Sequence, residues 1–255
     1  MSSSEELRGT AALVTGASSG IGEATVRRLA AAGAAVALVA RRGERLQRLA
    51  TGLEDGGCRA ITIEADLTEP GEAERAVASA AADLGRIDAL VNNAGVMLLG
   101  PIAEAPVEEW RQMVELNLLA LMHCARAALP HLRAAAEGPR GVTDLVNISS
   151  VAGRVARPGS GVYSATKHGV GAFSESLRQE LAQAHVRVSL VEPGVVDTEL
   201  PTHNRPEVRA QMAERFAGVT RMQAGDIADI VHFVVTRPRG VAINELLVRP
   251  TDQVL

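Results

Sequence analysis

The sequence predicts an α/β fold: one domain on a doubly wound parallel sheet of about seven strands, with helices on both faces. Three observations carry this. Short apolar runs of strand length alternate along the whole chain with longer stretches of helical period. Such alternation implies right-handed crossovers and a parallel sheet covered on both sides. A glycine cluster, Gly16-Ala17-Ser18-Ser19-Gly20-Ile21-Gly22, stands between the first apolar run and the first helical stretch. No linker, internal repeat or composition break divides the chain, so residues 1–255 form a single domain.

The elements follow in order. Thr10–Thr15 reads as a buried strand, and after the glycine turn Glu23–Ala32 has helical periodicity, ended by Gly33. Ala35–Ala40 is a second buried strand, Gly43–Leu53 a helix, and Arg59–Ala65 a third strand closed by Asp66-Leu67-Thr68. Pro70–Leu84 is an Ala-rich amphipathic helix with its proline near the start. Ile87–Val91 is a fourth strand ending in Asn92-Asn93-Ala94-Gly95. Glu108 to about Leu132 is a long helix or a closely spaced pair, with Asn117 among apolar neighbours. Val142–Ile148 is a fifth strand, followed by Ser149 and Ser150, then a helix from Val162 to about Ala184. Arg187–Val191 is a sixth strand, broken by Pro193-Gly194. A polar stretch runs to about Pro206, helices span roughly Glu207–Ala217 and Ala224–Val235, and Ile243–Val248 is the seventh strand.

Composition narrows the function. Apolar residues make up 47% and aromatics only 2%, so the core is built from Ala, Val, Leu and Ile. The net charge of −4, without a basic block, gives no nucleic-acid footprint. No apolar run approaches the roughly 20 residues of a membrane span. The first six residues, Met1–Glu6, are polar and acidic, unlike a signal peptide, and a flexible terminus is expected over residues 1–8. Cys58 and Cys124 match no metal or redox spacing, so reduced thiols, a cytoplasmic location and no metal are expected.

Strand, glycine turn, helix and strand within about 30 residues make a Rossmann-type dinucleotide-binding unit. Glycines let the backbone approach a pyrophosphate, and the helix N-terminus stabilises its charge. Gly16, Ser18, Ser19, Gly20, Ile21 and Gly22 are therefore candidate cofactor contacts. An NAD-binding unit usually carries an acid at the end of its second strand for the ribose 2′-OH. Here that place is Ala40, followed by Arg41-Arg42. Guanidinium suits a 2′-phosphate, so the expected cofactor is NADP(H).

Tyr163 is the only tyrosine, and Lys167 is the one lysine among 26 basic residues. Four residues apart on a helix, they share a face. A phenol titrates near 10, and an adjacent cation, together with an oxidised nicotinamide, is expected to lower that value, which suits general acid–base work.

Together, Thr15-Gly16-x-x-x-Gly20-x-Gly22, Asn92-Asn93-Ala94-Gly95, Asn117, Ser150, Tyr163-x-x-x-Lys167 and Pro193-Gly194 with Thr198 resemble the short-chain dehydrogenase/reductase family. The likeness covers nearly the whole chain. The run from Asn93 to Pro101 and the tail Arg249-Pro250-Thr251-Asp252-Gln253-Val254 resemble the branch of clavulanate dehydrogenase and the NADP-dependent 3-hydroxy acid dehydrogenases. The resemblance implies that Tyr163 is the catalytic acid or base, and that Lys167 also holds the nicotinamide ribose. Ser150 would bond the substrate oxygen, with Ser149 the neighbouring alternative. Asn117 would bend its helix and hold a relay water to Lys167. Asp66 would bond the adenine amino group, Leu67 would pack the ring, and Asn93, Ala94 and Gly95 would line the adenosine ribose. Pro193, Gly194, Val196 and Thr198 would fix the nicotinamide.

The resemblance also implies a mobile substrate loop within about 197–222, a pocket shaped by 151–160, Met97 and Leu98, and a homo-oligomer, tetramer or dimer. His203 and Arg205 could meet an acidic substrate but read more simply as exposed loop charges. The expected activity is NADPH-dependent reduction of a small aldehyde or ketone to an alcohol. The alternative is NADP-dependent oxidation of a 3-hydroxy acid or similar alcohol.

Other readings are weaker. Gly16-Ala17-Ser18-Ser19-Gly20 also fits the G-x-S-x-G elbow of α/β-hydrolases. With 15 residues before it here, the elbow's upstream strands and oxyanion loop are not expected. A non-catalytic nucleotide-binding scaffold predicts a broken Ser–Tyr–Lys set, and this one is intact. Epimerase or lyase relatives usually carry a longer substrate domain.

Overall fold

The computed structural model of the protein describes residues 6–254. β1 (Ala11–Thr15) is buried at every position and leads through the glycine turn into α1 (Gly20–Ala31). β2 (Ala35–Ala40), α2 (Gly43–Asp55) and β3 (Ala60–Glu64) follow. α3 (Glu72–Leu84) ends on the left-handed Gly85, a conformation that stops a helix without side-chain strain. Next come β4 (Ala89–Asn92), α4 (Val107–Val114) and α5 (Ala120–Ala136), then β5 (Thr143–Ile148), α6 (Gly161–Leu181) and β6 (Val186–Pro193). The short β7 (Val196–Asp197) is followed by α7 (Pro206–Arg215) and the equally short β8 (Met222–Gln223). α8 (Ala224–Val235) and β9 (Glu245–Val248) complete the chain.

Seven strands form one parallel sheet in the order β3-β2-β1-β4-β5-β6-β9. The order reverses between β1 and β4, where Leu13 lies opposite Leu90. In a doubly wound sheet the crevice beyond the carboxyl ends at such a reversal receives ligands. Strand side chains alternate between two core layers. Val14 and Leu38 pack with Val26, Leu46 and Ile227 of α1, α2 and α8. Leu13 and Val39 pack with Val77, Cys124 and Leu181 of α3, α5 and α6. Many of the helix contacts are alanines, as the aromatic-poor composition requires.

The predicted elements are present, with three differences. α1 starts at Gly20, not Glu23, because Gly20 and Gly22 add no apolar side chain to the periodic signal. The stretch predicted as a long helix or a pair is α4 and α5 joined by a π-helical turn, Glu115–Leu119, with Asn117 at its centre. The region 197–222 is fastened at both ends by a two-residue parallel ladder, Val196–Met222 and Asp197–Gln223, too short to show a period. The expected flexible terminus does not reach Leu7, which is buried and donates its N–H to the Ala32 carbonyl at 2.8 Å; residues 1–5 lie outside the described residues. Among the described residues no helix is long and apolar enough to cross a membrane, and no cluster of His, Cys, Asp and Glu could hold a metal.

Candidate active site at the carboxyl ends of the strands

One cavity of about 810 Å³ opens over the β1–β4 reversal and gathers most of the predicted site residues. Gly16, Ser18, Ser19, Gly20, Ile21, Arg41, Arg42, Asp66, Leu67, Asn93, Ala94 and Gly95 line it toward the β2 end. Ser150, Tyr163, Lys167, Pro193, Gly194, Val196 and Thr198 line it on the β5–β6 side. Gly22 and Asn117 lie just behind this lining.

The glycine turn is built for close approach. Gly16 has φ 66°, a left-handed value that favours glycine. A Cβ on Gly22 would collide with the Gly16 carbonyl oxygen and the Asn93 amide. The Asn93 amide nitrogen donates to the carbonyls of Thr15 (3.0 Å) and Gly16 (3.3 Å), and the Thr15 hydroxyl accepts the N–H groups of Asn93 and Ala94, each at 3.0 Å. Asn93 therefore ties β4 to the glycine turn through its side chain, and Thr15 is a framing residue that the motif string contained without showing its role. Across the crevice, a Cβ on Gly20 would meet the Thr198 methyl at 3.1 Å, so Thr198 lies directly over the start of α1.

The arginines at the end of β2 behave differently from each other. Arg42 donates to the hydroxyls of Ser18 (3.0 Å) and Ser19 (2.6 Å) and to the Glu199 carboxylate (2.7 Å). Arg45, one turn into α2, also holds Glu199, at 2.8 Å. Hydrogen bonds from Arg42 and then Arg45 pull the Glu199 carboxyl down to about 2. Arg41 stands farther off, 3.8 Å from Asp66. Burial pushes the Asp66 carboxyl up, but the Thr68 hydroxyl and N–H, together with Arg41, outweigh it and hold the group below its usual value. The donor set at this end therefore already grips one carboxylate with two guanidiniums, and is suited to an anion. Arg45 and Glu199 carried no local signal; only the fold brings them together.

The Ser–Tyr–Lys group assembles from β5 and α6. The Ser149 hydroxyl is buried and bonds the Lys167 carbonyl at 3.2 Å, so it faces the helix backbone. The Ser150 hydroxyl accepts the Ala152 N–H at 3.1 Å, capping a 3-10 turn over Val151–Gly153, and bonds Tyr163. The two serines are thereby distinguished. Arg154 grips the buried Glu192 of β6 at 2.7 Å and also pairs with Glu245, which fixes the turn after Ser150. Lys167 Nζ donates to the Ile148 carbonyl at 2.9 Å and lies 5.9 Å from the Tyr163 ring centre.

Burial pushes the phenol up to about 12, against the pull of Ser150, and burial pushes Lys167 down to about 8. In the protein alone burial sets the direction of the phenol's shift and the ammonium is itself desolvated; the expected lowering rests on Lys167 together with the oxidised nicotinamide. Asn117 sits at the centre of the π-helical turn that joins α4 and α5, as the expected bend requires. Its Oδ1 accepts the Val96 N–H and its Nδ2 donates to the Val96 carbonyl, both at 2.8 Å. The side chain fixes the strand-end loop, leaving its main chain for any relay.

Further framing contacts were not legible in the sequence, and Asn204 was not singled out there. Asn204 accepts the Leu99 N–H at 2.7 Å and donates to the Met97 carbonyl at 2.8 Å, joining the loop after β4 to the segment after Thr198. The Gln253 side-chain Oε1 accepts the Val195 N–H at 2.9 Å and packs on Gly194. Arg205 faces Glu109, Glu207 and the Leu99 carbonyl, so it is structural, while His203 lines the cavity.

These features define an α/β enzyme that binds a dinucleotide. The sequence profile of the short chain dehydrogenases matches residues 10–209. An uncharacterised oxidoreductase of Staphylococcus saprophyticus is 35% identical over 247 residues, covering 95% of this chain and 96% of that one. A closed serine dehydrogenase complexed with NADP+ superposes with a TM-score of 0.87 at 34% identity, over 96% of this chain and 97% of that one. A short chain dehydrogenase of Burkholderia cenocepacia in complex with NADP has a TM-score of 0.84 at 33% identity, over 96% and 98%. The chain belongs to the short-chain dehydrogenase/reductase family of oxidoreductases.

Proposed function

We propose that the protein reduces a small aldehyde or ketone to an alcohol with NADPH. The observation that carries this is the Ser150–Tyr163–Lys167 group gathered in the common cavity. A protonated phenol is the form a reductase needs, because the carbonyl oxygen must receive a proton. Ser150 holds that oxygen by a hydrogen bond, Tyr163 delivers the proton, and Lys167 beneath it supplies positive charge. Asn117 is a positioning residue, acting through Val96 and its own main chain.

NADP(H) is supported by the glycine cradle, by Arg42 and Arg45 converging on an anion, and by the NADP complexes of two structural relatives. Gly16, Ser18, Ser19, Gly20 and Ile21 would meet its phosphates, Arg41 and Arg42 its 2′-phosphate, and Asp66 and Leu67 its adenine. Asn93, Ala94 and Gly95 would line the adenosine ribose, and Lys167, Pro193, Gly194, Val196 and Thr198 would hold the nicotinamide end. When bound, it supplies the hydride. The reverse reaction, oxidation of a 3-hydroxy acid or similar alcohol, uses the same residues, and the likeness to a serine dehydrogenase favours it as the second reading. A tetramer or dimer is supported by exposed apolar side chains, Leu119 by α5 and Phe233 and Leu247 along α8 and β9.

The test is NADPH consumption with a panel of carbonyl compounds. Tyr163→Phe is expected to lower kcat roughly 10²–10⁴-fold while still binding NADPH. Wild-type turnover surviving in Tyr163→Phe, or NADH preferred over NADPH, contradicts the reading.

A further inference from the structure

Many arginines of the fold meet carboxylates: Arg42 and Arg45 hold Glu199, Arg154 holds Glu192, and Arg187 holds Asp144. Arg157, Arg209 and Arg215 do not. All three line the cavity that contains Ser150 and Tyr163. Among the described residues none of their guanidiniums has a carboxylate or carbonyl partner; Arg215 only lies 5.8 Å from the Phe216 ring. Arg157 is half-buried. Burial, and after it the charges of Arg215 and Arg249, lower its pKa, so its guanidinium lies in reach of theirs, while Arg209 shares the cavity lining.

The backbone under Arg157 is fixed. The Ser160 hydroxyl accepts the Arg157 N–H at 3.1 Å and donates to its carbonyl at 2.9 Å, and the Gly159 carbonyl accepts the Gly100 N–H at 2.8 Å. Arg209 and Arg215 come from the same helix, α7, on the segment that covers the cavity. Met97, Leu99, Met212 and Phe216 give the rest of this side an apolar lining. Crowded like charges without counterions oppose folding and create a strong local field for anions. A neutral carbonyl compound would draw nothing from that field, since Ser150 and Tyr163 already serve its oxygen.

We propose that Arg157, Arg209 and Arg215 form an anion subsite for the substrate, so that the preferred substrate is a carbonyl or hydroxy compound that also bears a carboxylate or phosphate. The inference rests on the oxidoreductase reading above and names its substrate class. The anionic group takes no part in the bond changes; it anchors the molecule while the carbonyl carbon gains hydride and its oxygen gains the Tyr163 proton. Guanidiniums bind either oxyanion through charge-assisted hydrogen bonds.

The experiment compares matched substrates with NADPH: a β-keto acid against its methyl ester, and a phosphorylated hydroxyketone against the dephosphorylated compound. The charged member of at least one pair is expected to have the larger kcat/KM, and the pair that shows it tells carboxylate from phosphate. Each of Arg157→Gln and Arg215→Gln is expected to cut that preference roughly ten- to hundredfold, mainly through KM, as loss of a hydrogen bond to a charged group does. Retained NADP+ binding reports that a variant is folded. Neutral members preferred in both pairs, or an unchanged ratio in both folded variants, overturns the proposal.

If no compound is turned over, the oxidoreductase reading fails separately. The subsite is then tested by calorimetry of malonate and of inorganic phosphate against the protein with NADP+. Binding that Arg157→Gln abolishes sustains the subsite, and no binding, or binding indifferent to the substitution, overturns it.

Discussion

Glu199→Gln should tighten NADPH binding. In the structure this one carboxylate occupies two guanidiniums at the end of β2, Arg42 at 2.7 Å and Arg45 at 2.8 Å. A 2′-phosphate directed to the same guanidiniums must displace the carboxylate or sit beside its charge. The side chains are 42%, 40% and 42% exposed, so solvent screens both pairs. Exposed pairs contribute about 0.2–1 kcal/mol each, and two on one carboxylate about 0.5–2 kcal/mol. At 1.4 kcal/mol per factor of ten, releasing that energy lowers the NADPH Kd roughly two- to thirtyfold. NADH has no 2′-phosphate, and its Kd should move by less than about twofold on the same reasoning.

Fluorescence titration of both nucleotides, at one fixed ionic strength, gives the ratio directly. The sign with pH follows from a depressed carboxyl. The latch is complete above the usual carboxylate value of 4.5 and is lost only as pH falls toward about 2, so the effect should be constant through neutral pH. A ratio of NADPH to NADH affinity that stays fixed, or shifts toward NADH, refutes the competition.

Three other perturbations test the frame around the site. Asn117→Ala strands the N–H and carbonyl of Val96, both now paired at 2.8 Å. Two unpaired buried groups cost about 2–5 kcal/mol, a Tm loss of roughly 5–15 °C by calorimetry. Gly22→Ala drives a Cβ into the Gly16 carbonyl, and should cost about 1–3 kcal/mol of stability and weaken NADPH binding beyond it. Lys167→Met should change how stability depends on pH. Burial lowers Lys167 from 10.5 to about 8, so the unfolded chain keeps its proton longer than the folded one. The cost is fully present below about 8 and is relieved as pH rises to 10.5. Urea unfolding at pH 7 and pH 10 should show the wild type gaining about 2–3 kcal/mol on the variant.

The sheet, the order of its elements and most site residues were legible because each leaves a local mark. Ala35–Ala40 and Ala224–Val235 lie where the apolar period put them. Tyr163 and Lys167 stood out by singularity and by spacing. What escaped depends on distance in sequence. Asn204 acts on Met97 and Leu99, and Gln253 on Val195, over separations that no window spans. The ladder of Val196–Asp197 with Met222–Gln223 is two residues long, below any period. The upward push of burial on Tyr163 also escaped, because adjacency to Lys167 is written in the sequence whereas the depth of burial is not.

Those unread contacts explain how the covering segment is held. Thr198 touches Gly20, Glu199 bridges Arg42 and Arg45, and Asn204 bonds the loop after β4. The cofactor end of the segment is thus fastened by exposed ion pairs, which salt and a competing phosphate weaken. The substrate end is fastened chiefly by neutral hydrogen bonds from the buried Asn204 amide, which neither reaches, beside the Arg205–Glu109 pair at 3.6 Å. A segment fastened so unequally is expected to release at Glu199 before it releases at Asn204. α7, with Arg209 and Arg215, follows Asn204 and lies beyond the Glu199 contacts. Binding of the nucleotide and capture of an anionic substrate are then separable events on one stretch of chain. Asn204→Ala should impair both together, whereas Glu199→Gln should alter the first alone, as NADPH affinity and the KM for a charged substrate measured in the same variants would show.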